Sequence, residues 1–226
     1  FLSKKLLEWN TDIYYTPDGV LRAKLPNGCT SITTLQNMLP FEDLERRKFP
    51  FFSYTRFKLR LLKHVMLKSF QKANKVVFIS KYSRDKVKTH ISNIESKSII
   101  IPLGINKIFI DSKVKYTLPD GIIRNKFYLY VSQLNYYKCH KELVISWKKL
   151  VDGGFNYPLV LVGPTVNRYG KEVLDLIKNL NLSNKVIYLN EIKYSKLPGF
   201  YKAARVLVFA SSCECCPNIL LEMFAF

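Results

Sequence analysis

Seven short apolar runs recur along the chain, each bounded by polar or Gly/Pro signals: SITTL (31–35), KVVFIS (75–80), SIIIPLG (98–104), FYLYVS (127–132), LVLVGP (159–164), VIYLNE (186–191) and VLVFASS (206–212). Their apolar residues are consecutive rather than alternating, which predicts strands buried on both faces. Between several of them lie helical periodicities. Leu143, Trp147, Leu150 and Val151 mark one apolar stripe, and Val173, Ile177 and Leu180 mark another. Strand followed by helix followed by strand predicts parallel sheets with helices on their faces, because a parallel crossover consumes a dozen or more residues.

The stretch from Asp111 to Asn125, DSKVKYTLPDGIIRN, is polar and turn-rich, with Pro119-Asp120-Gly121 as its breaker. It predicts a linker, dividing the chain into one α/β domain over residues 1–112 and another over 113–226. A length of 226 residues accommodates one large or two small domains. With 48% hydrophobic and 14% aromatic residues there is material for their cores, so global disorder is excluded. No run approaches the roughly 18 apolar residues of a membrane-spanning helix. The chain opens at Phe1 rather than Met and stops at Phe226 inside a predicted helix, which reads as a piece of a longer protein. No internal repeat or low-complexity tract is evident.

Five cysteines, Cys29, Cys139, Cys213, Cys215 and Cys216, in a chain without a signal-peptide pattern point to a reducing cytoplasm. The spacing Cys213-x-Cys215-Cys216 is not that of a tetrahedral zinc site, so no metal is expected. A reactive thiol among those three is a minor alternative. The histidines His64, His90 and His140 are scattered and read as surface or helix residues rather than ligands.

The net charge is +19, and it is concentrated. From Arg46 to Arg84 there is no Asp or Glu, while Arg46, Arg47, Lys48, Arg56, Lys58, Arg60, Lys63, Lys68, Lys72, Lys75, Lys81 and Arg84 lie within. Residues 55–72 are predicted helical, with Phe57, Leu61 and Val65 on one face and Leu62, Met66 and Phe70 adjoining it. Such a helix fits a solvated face packed on its own sheet, a surface that docks to anionic lipid headgroups, or a nucleic-acid patch. No RNA- or DNA-binding motif accompanies it, so nucleic acid is not the expected partner, and segment 46–84 is the candidate for an anionic membrane surface.

The sharpest motif is VLVFASSCECCPNILLE near the end of the chain. A strand (206–210) runs into a polar loop, Ser211 to Cys216, and a helix is predicted from Pro217, where a missing N–H does no harm. A loop beyond the carboxyl end of a parallel strand, closed by a helix, is where α/β proteins hold phosphates and sugars. Glu214 in the loop and Glu222 in the helix form Glu-x7-Glu. Taken alone, two glutamates at this spacing are ordinary: one beside a helix terminus, one exposed on a helix.

The segment ASSCECCPNILLEMFA resembles the Glu-x7-Glu signature of the retaining nucleotide-sugar glycosyltransferases of family four. Other segments fall in that family's order. KVVFISKYSRDKV is similar to the last strand and helix of its first domain, and IIIPLGINKIF to its approach to the linker. YLYVSQLNYYKCHKELVISWKKL, LVLVGP and VIYLNEIKYSKLPGFYKAARVLVFASS are similar to successive parts of its second domain, and TTLQNMLPFE to the first-domain strand and loop that face the cleft. The likeness covers most of residues 30–226.

The resemblance implies a GT-B fold, two Rossmann-like domains with parallel sheets, both incomplete here, the first taking the acceptor and the second the donor. It implies transfer of a sugar from a nucleotide-diphosphate-sugar to a glycan or lipid-linked acceptor, with retention at the anomeric carbon and without a metal or other cofactor. By the family's pattern Lys138 contacts the donor diphosphate, Glu222 the nucleotide ribose, and Glu214 with Cys216 to Asn218 the transferred sugar. Gln133 stands in the donor site where the family has Arg. Gln36 or Asn37 stands on the acceptor side where it has His, so an amide orients the acceptor there rather than taking its proton. Cys215 and Cys139 replace glycines, and Ala204-Arg205 replaces a small-Asp pair. Gln133, Gln36 and Arg205 favour the alternative, a GT-B scaffold without catalysis that acts as a binding or partner subunit. Polysaccharide or lipopolysaccharide synthesis, carried out in the cytoplasm at the inner membrane face, is the setting the likeness implies.

Overall fold

The computed structural model describes residues 1–110 and 118–226. Packing divides the chain into two compact units, Phe1–Leu103 with Cys213–Cys216, and Gly104–Ser212 with Pro217–Phe226. The boundary expected between residues 112 and 113 lies outside the described residues, as does the first part of the expected linker. Asp120 and Gly121 form a turn.

In the first unit the order is α1 (Leu2–Glu8), β1 (Ile13–Thr16), β2 (Thr30–Leu35), α2 (Asp43–Arg47), α3 (Tyr54–Lys72), β3 (Lys75–Phe78), α4 (Lys81–Lys88) and β4 (Ser98–Ile100), joined by short 3₁₀ turns. The strands form one parallel sheet in the order β1-β2-β3-β4. Ser53 starts α3 by accepting the Arg56 backbone N–H at 3.2 Å, the usual service of a serine cap. The face of α3 that packs is not the one built on Phe57 and Leu61. Leu59, Met66 and Phe70 are buried, whereas Phe57 and Leu61 are exposed. The apolar content of this helix exceeds what one core-facing stripe can hold, and spacing alone could not say which side the sheet takes.

The second unit runs β5 (Tyr128–Val131), α5 (His140–Asp152), β6 (Leu159–Val162), α6 (Arg168–Asn179), β7 (Val186–Tyr188), α7 (Leu197–Ala203), β8 (Val206–Leu207) and α8 (Asn218–Met223). Its sheet is parallel in the order β7-β6-β5-β8. Successive residues of β5 and β6 feed two cores. Leu129, Val131, Val160 and Val162 join Phe127, Phe200 and Tyr201 in one, while Tyr130, Leu159 and Leu161 join Val144, Trp147, Val173 and Ile177 in the other. That is the period-two alternation of a sheet covered on both sides, and it explains the unbroken apolar runs.

The expected strands are longer than those formed. The regular strands end at Ile100, ahead of Pro102, and at Tyr188, ahead of Asn190 with φ +53°, although Ile101 and Leu189 each add one backbone bond, to the Phe78 carbonyl at 2.9 Å and the Leu161 carbonyl at 3.0 Å. The run 206–212 pairs only at Val206 and Leu207, with Val208 adding one backbone bond to the Leu129 carbonyl at 2.7 Å. In α5, His140, Val144 and Trp147 are buried and Leu150 is exposed, so the stripe lies a few residues earlier than the sequence pattern placed it.

Candidate functional site

A cavity of about 510 Å³ opens in the second unit just beyond the carboxyl ends of β5 and β6. Its walls come from Val131–Gln133, Val162–Pro164, Glu191–Tyr194, Leu197 and Ile219. In a parallel sheet this is the position where ligands are held, since the loops there rise clear of the helices on either face. Gly163 lets the two strand ends approach. Its φ is +145°, and a Cβ built on it would stand 2.2 Å from the Ser132 carbonyl oxygen.

Glu222, expected as the ribose-binding carboxylate, is buried in α8. The Tyr194 hydroxyl donates to its Oε1 at 2.9 Å and the Tyr201 hydroxyl to its Oε2 at 3.0 Å. Burial, then the neighbouring carboxylate, pushes Tyr194 up to about 12, and the same two causes raise Tyr201. Both phenols therefore remain neutral donors, and the carboxylate is held in one orientation beside a tyrosine that lines the cavity. Thus Glu222 is not the exposed helix residue that spacing alone allowed. Neither tyrosine was identified from sequence; the only signal was their place in the KYSKLPGFY stretch ahead of the motif.

Gln133 lies on the cavity wall, and its Nε2 donates to the Tyr137 hydroxyl at 3.1 Å. Lys138 is largely buried, with its Nζ 5.0 Å from the centre of the Tyr137 ring. The Tyr130 hydroxyl donates to the Lys138 carbonyl at 2.7 Å, which fixes the backbone at this point. Ser211 and Ser212 donate side-chain bonds to the Tyr137 carbonyl, each at 3.1 Å. Gln133, Lys138, Glu222 and Asn218 thus belong to one unit, with Asn218 exposed as the first residue of α8.

Cys139, standing where the resemblance has glycine, adopts left-handed φ +54° and ψ +36° at the start of α5. For a residue with a side chain this conformation costs about 1 kcal/mol. The next residue, His140, is the first of α5, one of the two settings expected of it, and is fully buried there, with its ring centroid 4.9 Å from that of Tyr130. Neither ring nitrogen has a hydrogen-bond partner of good geometry among the described residues. Burial first, then the charge of Lys138, pushes His140 down to about 4, outweighing the opposing Ser132 backbone. Because the folded value lies below the ordinary one, the unfolded chain takes up the proton first as pH falls. The stability contributed by neutral His140 is whole at neutral pH and lost between about pH 6.5 and 4, amounting to about 3 kcal/mol. Urea unfolding at pH 7 and pH 4.5 is expected to show this loss in the wild type and a much smaller one in His140→Phe; equal pH dependence in both would assign the loss to other groups.

Glu214 and Cys216 pack with the first unit and are half-buried. Between them Cys215 is buried, its thiol donating to the Leu35 carbonyl at 3.4 Å, and burial pushes it up to about 11. That is the reverse of thiol activation and removes Cys215 from the reactive thiols the sequence allowed. Gln36 and Asn37 line a second cavity of about 420 Å³ with Asp18, Arg22, Leu62 and Met66, all in the first unit. Asn37 Oδ1 also accepts the Leu39 backbone N–H at 3.1 Å.

Residues 122–226 match the family model described as glycosyl transferases group 1. Among solved structures, the chain is similar to a glycosyltransferase from Rickettsia africae ESF-5, with 18% identity and a TM-score of 0.66 over 99% of this chain and 58% of that one. It is similar to Anabaena Alr3699/HepE in complex with UDP, with 17% identity and a TM-score of 0.68 over 99% of this chain and 60% of that one. Sucrose-phosphate synthase from Thermosynechococcus elongatus follows, with 14% identity and a TM-score of 0.66 over 98% and 56% of the two chains. No curated protein sequence matches the chain. The fold is the α/β fold of the GT-B glycosyltransferases, and the chain spans about three fifths of those structures' length.

Proposed function

We propose that the complete protein is a glycosyltransferase that moves a hexosyl group from a nucleotide-diphosphate-sugar to a glycan or lipid-linked acceptor. The observation that carries this reading is the cavity beyond the ends of β5 and β6, lined by a tyrosine that clamps a buried carboxylate, in the segment that matches the group 1 transferases. Its volume falls in the range of small-ligand sites. Gln133 on its wall lies along the donor, and Glu222, behind Tyr194, takes the ribose hydroxyls. Lys138 meets the diphosphate as a compact point charge. Glu214, Cys216 and Asn218 serve the transferred sugar, and Gln36 and Asn37 orient the acceptor.

The bond between the anomeric carbon and the diphosphate oxygen breaks as the acceptor oxygen replaces it on the same face, and the acceptor's hydroxyl proton passes to the departing diphosphate oxygen. The leaving charge is met by Lys138 without a metal. HepE in complex with UDP-glucose makes uridine donors the first to try. The setting is polysaccharide or lipopolysaccharide synthesis, in the cytoplasm at the inner face of a membrane.

A second reading, a scaffold without turnover, is favoured by Gln133, which places a neutral amide where the resemblance has Arg. Turnover separates the two. Incubation of the complete protein with UDP- and GDP-sugars is expected to release the nucleoside diphosphate, with the rate lost in Glu214→Ala. Undiminished release in Glu214→Ala would remove that residue from the site, and no release from any donor would favour the scaffold.

A further inference from the structure

The side of α3 turned away from its sheet carries apolar residues that nothing in the first unit covers. Phe52 is 95% exposed, Tyr54 77%, Phe57 67%, Phe51 65% and Leu61 54%. Tyr54, Phe57 and Leu61 follow the three-to-four-residue spacing of one helix face, and Phe51 and Phe52 continue that patch into the turn before it. The two phenylalanine rings meet edge to face, their centroids 5.0 Å apart, and the Arg56 guanidinium lies 4.9 Å from the Phe51 ring centre. Lys58, Arg60, Lys68 and Lys72 are exposed on the same helix. Several neighbouring cations are matched internally, Arg46 and Lys63 by Asp43 and Lys48 by Glu45. Those four cations form no ion pair among the described residues, and no acidic residue lies between positions 46 and 84.

We propose that this face, the turn at Phe51–Phe52 and the exposed side of α3, docks on an anionic lipid bilayer, with the aromatic residues entering the headgroup region and the flanking cations on the lipid phosphates. Charge complementarity selects the partner: a patch with unpaired cations and no carboxylate fits a surface of fixed negative charge. Shape selects a bilayer over single-stranded nucleic acid, which is held in grooves that cover its bases. A side chain 95% exposed stands clear of any groove. An apolar cluster ringed by Lys and Arg on one helix face is the arrangement of interfacial helices, where ring insertion and headgroup attraction act together. No helix among the described residues is long and apolar enough to cross a membrane, so docking here is at the surface. The proposal does not rest on sugar transfer, since a scaffold without turnover docks in the same way.

Co-sedimentation of the complete protein with vesicles tests it, using pure phosphatidylcholine and a 70:30 mixture with phosphatidylglycerol. The expected result is binding to the mixed vesicles, weakened by high salt, and about tenfold or greater loss of affinity in both Phe51→Ser/Phe52→Ser and Lys58→Glu/Arg60→Glu. All four positions are at the surface or in a turn, and circular dichroism checks that each variant is folded. Equal binding to pure phosphatidylcholine, no binding to either vesicle, or binding unchanged in both variants would overturn the proposal. So would a lipid-free oligomer that Phe51→Ser/Phe52→Ser dissociates, because the face would then join protein copies. Binding of single-stranded RNA without vesicle binding would likewise overturn it.

Discussion

Replacing Lys138 by Met is expected to lower kcat/KM for the nucleotide-sugar by about 10²–10³-fold while the protein stays folded. That is the usual cost of removing one preorganised charge or donor from a site where transition-state charge develops. The side chain is largely buried, and the main chain beneath it is held by the Tyr130 hydroxyl at 2.7 Å, so an apolar chain of similar length leaves the backbone where it was. The loss therefore reports the ammonium group itself. It falls on kcat if Lys138 acts on the leaving diphosphate, and on KM alone if it only tethers the donor. Steady-state kinetics with the active donor make the distinction, and turnover equal to wild type would place the diphosphate elsewhere.

Gly163→Ala is expected to destabilise the second unit by about 2–4 kcal/mol, from backbone strain and a backbone clash together. At φ +145° an L side chain is already strained, and the added methyl would lie 2.2 Å from the Ser132 carbonyl oxygen and 2.9 Å from the Gln133 nitrogen. Neither atom belongs to a flexible side-chain end that could swing aside. For a chain of this size the unfolding temperature drops by roughly 5–15 °C. Gly28→Ala separates the two causes, because Gly28 has φ +85° but no atom within 4 Å of the added carbon. It is expected to cost only about 1 kcal/mol. Calorimetric scans of both variants provide the check. A loss for Gly163→Ala no larger than for Gly28→Ala would mean that β5 and β6 are free to separate at their ends.

The parallel sheets were legible because their strands are unbroken apolar runs, as in Leu159–Val162, where all four residues are buried. β1 was not. Ile13-Tyr14-Tyr15-Thr16 is short and contains only one buried residue, so neither its pattern nor its flanks mark it as a strand. Helix α3 was bounded to within a residue, yet the side it buries was not legible, since a helix with two adjoining apolar faces does not declare which one meets the core. At the site, Glu222 and Lys138 stood out through a motif, whereas the Tyr194–Glu222–Tyr201 arrangement joins residues 28 and 21 positions apart and exists only after α7 and α8 pack. The burial of His140 was missed for the same reason. A lone histidine carries no periodic signal, and its surroundings come from Tyr130 on β5 and Tyr169 on α6.

The central claim is that the cavity of the second unit holds a nucleoside diphosphate. Thermal unfolding of the complete protein, titrated with UDP and with GDP, tests it most directly, because a ligand that binds only the folded state adds about 2.7 kcal/mol at 100 times its Kd. Glu222→Ala is a poor control, since it would leave two tyrosine hydroxyls without their acceptor, whereas Lys138→Met removes the charge and leaves that buried clamp intact. The predicted result is a saturable rise in unfolding temperature with one of the two nucleotides, sharply reduced in Lys138→Met at the same concentration. A folded protein whose transition neither nucleotide moves, or a rise identical in Lys138→Met, would contradict it.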